Sequence, residues 1–178
     1  MKIALCGSGK GDYKGLLEKV RVIGEEIAKN NAILYTGGCY GYPYEAAKAA
    51  FQNKGITVAI SPAKSIEDHK TRYNFPSDVF SDYIFTGLGI PERNYVLIKA
   101  VDAVIIFNGQ IGTLNEFTVA FHEQKTIGIL EGLGGISELI PKIAEICDKR
   151  GEKGNIVYEK DPKELVKKCM NRGKTRSS

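Results

Sequence analysis

VDAVIIFNGQIGTLNEF, residues 101–117, decides how the chain is read. A run of hydrocarbon, VIIF at 104–107, ends abruptly in Asn108 and Gly109, and a helix-period segment, GTLNEFTVAFHEQ at 112–124, follows at once. An apolar run without alternation is the pattern of a strand covered on both faces. A helix directly after it makes a strand–turn–helix unit of the kind that builds parallel sheets.

The same rhythm extends in both directions. Strand-length apolar runs recur at KIALC (2–6), AILYT (32–36), ITVAI (56–60), DYIFT (82–86), DAVIIF (102–107), TIGIL (126–130) and NIVYE (155–159). Helix-period segments lie between them: 13–30, 42–54, 91–100, 112–124, 136–150 and 162–171. This alternation predicts an α/β, Rossmann-like, doubly wound and mainly parallel sheet of about seven strands, with right-handed crossovers and helices on both faces. Residues 61–81 break the rhythm: SPAKSIEDHKTRYNFPSDVFS is polar, holds two prolines and joins two strands without a clear helix. Long irregular connections in compact domains are site loops or surface excursions, and both readings stay open here.

At 178 residues, 43% hydrophobic and 26% charged, the chain fits one domain of ordinary size, given ~150 residues per domain. The expected organisation is a single nucleotide-binding domain over 1–171 and a disordered basic tail over 172–178, NRGKTRSS having no apolar period after Asn171. Arg172, Lys174 and Arg176 account for three of the formal +4 charge, so the rest is nearly neutral. That disfavours nucleic acid as a partner, which needs a concentrated cationic face, and gives no sign of an anionic membrane surface. No run approaches the ~18 apolar residues of a membrane span, and the apolar start of MKIALCGSGKGD is too short for a signal segment. A cytoplasmic location is expected. Cys6, Cys39, Cys147 and Cys169 form no C-x-x-C pair and are read as reduced thiols. His69 and His122 fit no metal spacing and are given surface or packing roles, so neither a metal nor a cofactor is expected.

In an open parallel sheet, ligands bind beyond the carboxyl ends of the strands where strand order reverses. Those ends are rich in glycine: CGSGKGD (6–12), TGGCYGYPYE (36–45), TGLGIPERN (86–94) and NGQIGTLNE (108–116). Glycine lets backbone approach a ligand and aim N–H groups at phosphate oxygens, and a helix start adds unpaired amides and a positive dipole end. Any one glycine also serves simply as a tight turn. The candidate phosphate- and nucleotide-binding set is Gly7 and Ser8; Gly37, Gly38 and Gly41; Asn94; and Asn108, Gly109, Gln110, Gly112 and Thr113. GSGKGD matches neither G-x-G-x-x-G nor the Walker pattern, so a nicotinamide dehydrogenase or an ATPase is not indicated. Arg93, after the helix-starting Pro91, and Glu116, one turn beyond Thr113, are the candidate catalytic pair. A guanidinium forks onto phosphate or sugar oxygens, and a carboxylate faces positive charge or orients water. Tyr40 and Tyr42 are candidates for stacking on a base, with core or dimer packing as the competing role.

GGCYGYPYEAAKAA, PERNYVL and NGQIGTLNEF resemble, in order and spacing over about residues 1–148, the LONELY GUY (LOG) or "possible lysine decarboxylase" group, whose signature is P-G-G-x-G-T-x-x-E. The resemblance implies a Rossmann-like, usually dimeric protein. It also implies cleavage of the N-glycosidic bond of a nucleoside 5'-monophosphate to free base and ribose 5-phosphate, with Arg93 and Glu116 in the arginine and glutamate positions. The chain departs from the pattern at Asn108, Gln110 and Cys39, and Asn94 stands where the cytokinin-activating branch has lysine. This places it near the short branch related to molybdenum-cofactor carrier proteins, which bind a phosphate-bearing pterin without turning it over. The alternative function is therefore a non-catalytic carrier or sensor. Decarboxylase chemistry needs a Schiff-base lysine among site residues, and apart from Lys10 no lysine is placed for it. The expected partner is a small phosphate-bearing ligand. A homodimer is expected through Val96, Leu97, Phe117, Val119 and Phe121, whose apolar surface is read as more than one sheet face can cover.

Overall fold

The structure, a computed structural model, describes residues 1–9, 15–148 and 155–174. Lys10, and the tail residues beyond Lys174, lie outside the described residues. The elements run β1 (Lys2–Gly7), α1 (Leu17–Lys29), β2 (Ile33–Thr36), α2 (Tyr42–Gln52), β3 (Thr57–Ser61), α3 (Ile66–Thr71), β4 (Asp82–Phe85), α4 (Ile90–Lys99), β5 (Ala103–Phe107), α5 (Ile111–His122), β6 (Thr126–Leu130), a 3-10 turn (Gly135–Glu138), α6 (Ile140–Cys147), β7 (Ile156–Glu159) and α7 (Pro162–Lys174). The seven strands form one sheet in the order β4-β3-β2-β1-β5-β6-β7, and every recorded pairing is parallel.

Alternation along each strand divides the core in two. Ile3, Leu5, Ile105 and Phe107 point to the face covered by α1, α2 and α7, where Ile23, Ile27, Ala46, Leu165 and Val166 pack. Ala4, Cys6, Val104 and Ile106 point to the other face, covered by α4, α5 and α6 through Leu97, Phe117, Phe121 and Ile140. Strands buried on both faces account for the continuous hydrocarbon runs of the sequence. They also account for three side chains expected at a dimer face: Leu97, Phe117 and Phe121 are 0%, 1% and 8% exposed within a single chain. One sheet face and the α4–α5 contact cover them, while Val96 and Val119 are partly buried against the same cluster.

The connection after β3 contains a helix that periodicity did not reveal. α3 is six residues long, IEDHKT, and polar apart from Ile66 and the buried His69. Ser65 starts it by accepting the Asp68 N–H at 3.2 Å, an N-cap that holds a turn too short to carry an apolar stripe. Two helical segments differ in extent: that expected over 136–150 divides, within its described residues 136–148, into a 3-10 turn and α6, and that expected over 162–171 continues as α7 to Lys174.

Candidate functional site

β1 is the switch point of the sheet. The chain proceeds from β1 to β2, β3 and β4 on one side, then crosses to β5 on the other side of β1, with Gly7 in register with Phe107. The connections leaving β1 and β5 therefore diverge, opening a crevice at the carboxyl ends of the strands. A cavity of about 500 Å³ occupies it, walled by Gly7–Gly9, by Gly37, Cys39 and Tyr40 after β2, by the starts of α4 and α5, and by Tyr73–Phe75. Of the expected ligand set it brings together Gly7, Ser8, Gly37, Asn94, Gln110, Gly112 and Thr113, along with Arg93 and Glu116.

Arg93 and Glu116 project from the adjacent helices α4 and α5 and are 4% and 8% exposed. Arg93 Nη1 and Glu116 Oε1 are 3.9 Å apart, an electrostatic contact rather than a hydrogen bond. Arg93 Nε is buried with no hydrogen-bond partner among the described residues. Gly37 is required beneath it, since a Cβ there would land on the guanidinium. Burial pushes the Glu116 carboxyl up to about 7, although Arg93 and a hydrogen bond from the Cys6 thiol favour its ionised form. Desolvation thus outweighs attraction, and the group titrates near neutrality, where it can take or give a proton. Burial likewise raises the thiols of Cys6 and Cys39, with the carboxylate of Glu116 adding to both shifts.

α5 begins at Ile111, with Gln110 as an N-cap whose side chain makes no capping bond and with no acid in the first turn. The helix start is thus left for an anion, and around Gly112 no atom would lie within 4 Å of an added Cβ. Gln110 is exposed and lines the cavity beside this helix start.

Four expected ligand residues do not reach the cavity wall. Asn108 sits at φ +59°. Its side chain turns away, donating to the Leu133 carbonyl at 2.6 Å and accepting the Gly109 N–H at 2.5 Å. The Gly109 amide is thereby used inside the protein, and Gly109 leaves the space that the Thr113 side chain fills. Gly38 donates to Thr36 Oγ1 at 3.1 Å and lies against the His69 ring. Gly41, at φ +94°, is where the second loop crosses the backbone of Ser8. These positions shape loops. Of the tyrosines, Tyr40 lines the cavity and is 48% exposed, whereas Tyr42 is a core residue packed 4.8 Å from the Phe107 ring.

His122 is exposed and His69 fully buried. His69 Nε2 lies 3.0 Å from the Pro76 carbonyl and Nδ1 lies 2.8 Å from Ser61 Oγ. Residues that sequence reasoning missed are Cys6, Ile90, Ile111 and the Tyr73–Phe75 arc; for the arc, the broken rhythm of 61–81 was the available signal. Among the described residues no group of three His, Cys, Asp or Glu side chains is placed to hold a metal ion. None of the described helices is long and apolar enough to cross a membrane.

A profile of the SLOG cluster4 family matches residues 1–166. The chain belongs to the SLOG cluster4 family. A relative from Archaeoglobus fulgidus, an uncharacterized protein, is 31% identical over 131 residues, covering 74% of this chain and 80% of its own. Among solved structures, the molybdenum cofactor binding protein from Rippkaea orientalis is 26% identical, with a TM-score of 0.77 over 99% of this chain and 97% of that one. The molybdenum cofactor carrier protein from Chlamydomonas reinhardtii is 23% identical, with a TM-score of 0.78 over 98% of both chains. DNA processing protein A from Helicobacter pylori, described as binding single-stranded DNA, is 19% identical, with a TM-score of 0.67 over 97% of this chain and 81% of that one. The last two likenesses establish a common fold. This member of the SLOG cluster4 family is thus a Rossmann-like protein with a built cavity at its switch point.

Proposed function

We propose that the chain binds a nucleoside 5'-monophosphate and hydrolyses its N-glycosidic bond, releasing free base and ribose 5-phosphate. The observation that carries this reading is Glu116: a buried carboxyl titrating near 7, 3.9 Å from Arg93, on the wall of a cavity that also receives an uncapped helix start. The amides of Gly112 and Thr113 would hold the phosphate, with Arg93 turning its unpartnered nitrogen to a phosphate or ribose oxygen. Phosphate captured away from the scissile bond positions the reacting carbon. As the bond breaks, positive charge grows on the ribose, and ionised Glu116 stabilises it, takes the proton of the attacking water as the oxygen bonds to the ribose carbon, and returns that proton to the departing base.

The test is incubation with a panel of nucleoside monophosphates and chromatography for free base. Release from at least one of them, abolished in Glu116→Gln, supports the hydrolase. A second reading, a carrier, is favoured by the likeness to the Rippkaea orientalis protein; tight binding without release from any substrate would decide for it. The nearly neutral body of the chain disfavours single-stranded DNA as the ligand, and salt-dependent retardation of an oligonucleotide would overturn that. We also propose a cytoplasmic homodimer. The four cysteines are free thiols, and Ile90, Tyr95 and Ile111 leave apolar surface open on α4 and α5, at 47%, 51% and 80% exposure.

A further inference from the structure

The cavity has two chemically different halves. One half is polar and anion-seeking, with the buried Arg93 and Glu116 and the start of α5. The other carries an arc, Tyr73–Asn74–Phe75, from the β3–β4 connection rather than from any glycine-marked turn. The arc is held at both ends. The Tyr73 N–H donates to the Asp68 carbonyl at 3.3 Å, and the Phe75 N–H donates to the His69 carbonyl at 3.1 Å. Beyond it His69 Nε2 donates to the Pro76 carbonyl at 3.0 Å, and Tyr44 Oη donates to Asp78 at 2.9 Å. Its rings brace each other: Tyr73 and Phe75 are 5.5 Å apart, Phe75 meets His69 edge-on at 5.4 Å, and the Arg72 guanidinium lies 5.4 Å from the centre of the Tyr73 ring. Both aromatic rings remain partly open, and Asn74, exposed at the crest, has φ +49°.

We infer that this arc recognises the planar heteroaromatic part of a phosphate-bearing ligand, with Tyr73 and Phe75 supplying ring surface and Asn74 reading the polar edge of the ring. The inference rests on the nucleotide reading above and adds the element that selects the base. A cavity of about 500 Å³ is far larger than a bare phosphate requires, and its size lies within the usual range for small-molecule sites. Flat ring surface gains by stacking on aromatic side chains whatever the base. An amide, offering both donor and acceptor, is what distinguishes one heterocycle from another. Because packing already fixes the rings, little ordering is lost when the ligand enters.

The test is calorimetric titration of the full chain carrying Glu116→Gln, so that nothing is consumed, with adenosine 5'-monophosphate and with ribose 5-phosphate. Tyr73→Ser and Phe75→Ala are expected to weaken the nucleotide about tenfold or more and leave ribose 5-phosphate within about twofold. Tyr73→Phe keeps the ring and should keep the affinity, and thermal melting identifies any variant that has lost its fold. Nucleotide affinity unchanged in folded Tyr73→Ser, or both probes weakened equally, would overturn the assignment of the arc while leaving the nucleotide reading intact. Failure of both probes to bind the unaltered arc would remove the nucleotide reading itself, and the assignment with it.

Discussion

Glu116 illustrates how a single side chain is set by its surroundings. Its carboxyl is raised from 4.5 to about 7 in the fold, so between those pH values the folded protein holds a proton that the unfolded chain has released. The ionised form therefore costs stability that grows as pH rises through this window, on the order of 3 kcal/mol above it. Glu116→Gln should consequently melt at a higher temperature than the native protein at pH 8 and at nearly the same temperature below pH 4.5, while releasing no free base; scanning calorimetry across pH checks the first, and an equal shift at all pH values would refute it. Gly37 makes a second case. It is absent from the positive-φ residues, so alanine suits the backbone, but its Cβ would displace the Arg93 guanidinium. Gly37→Ala should fold normally and lose about a hundredfold in kcat/KM; unimpaired turnover would show that Arg93 needs no fixed seat.

At the scale of elements, the β3–β4 connection is a folded strap stapled by His69. A carbonyl can only accept, so the Nε2 facing Pro76 carries the ring proton, and Nδ1 accepts from Ser61, whose oxygen already takes the Ala63 N–H at 3.1 Å. A second ring proton would spoil this arrangement, and burial accordingly holds the imidazole pKa below its ordinary 6.5. The sign is opposite to that of Glu116: stability from neutral His69 is complete above pH 6.5 and is lost as pH falls below it. The native protein should lose melting temperature more steeply below pH 6.5 than His69→Gln, which cannot protonate. Matching slopes would mean that the staple does not titrate there. The strap could not be read as structure because a six-residue polar helix leaves no period, and its staple joins residues that only folding brings together.

For the whole molecule, sheet order creates the site. Reversal at β1 separates the turns after β1 and β5, and the two core layers press α4 against α5 so that Arg93 and Glu116 come within 3.9 Å. The same packing closes Leu97, Phe117 and Phe121 to a partner and leaves Ile90, Tyr95 and Ile111. Sedimentation equilibrium should return twice the mass of one chain, and Tyr95→Asp combined with Ile111→Asp should return a single one. A native monomer would refute the dimer.

Sequence by itself determined the order of the seven strands and of every helix between them except α3, because hydrocarbon runs and amphipathic periods are local consequences of burial on two faces or one. It also marked Arg93, Glu116 and the turn before α5, because helix starts and glycines leave local signatures. Only the tertiary structure decided that the Gly109 N–H donates to the Asn108 side chain, that Tyr42 is core, and that residues 73–75 reach the cavity. Each of those depends on which groups meet across the fold, and no spacing along the chain encodes that meeting.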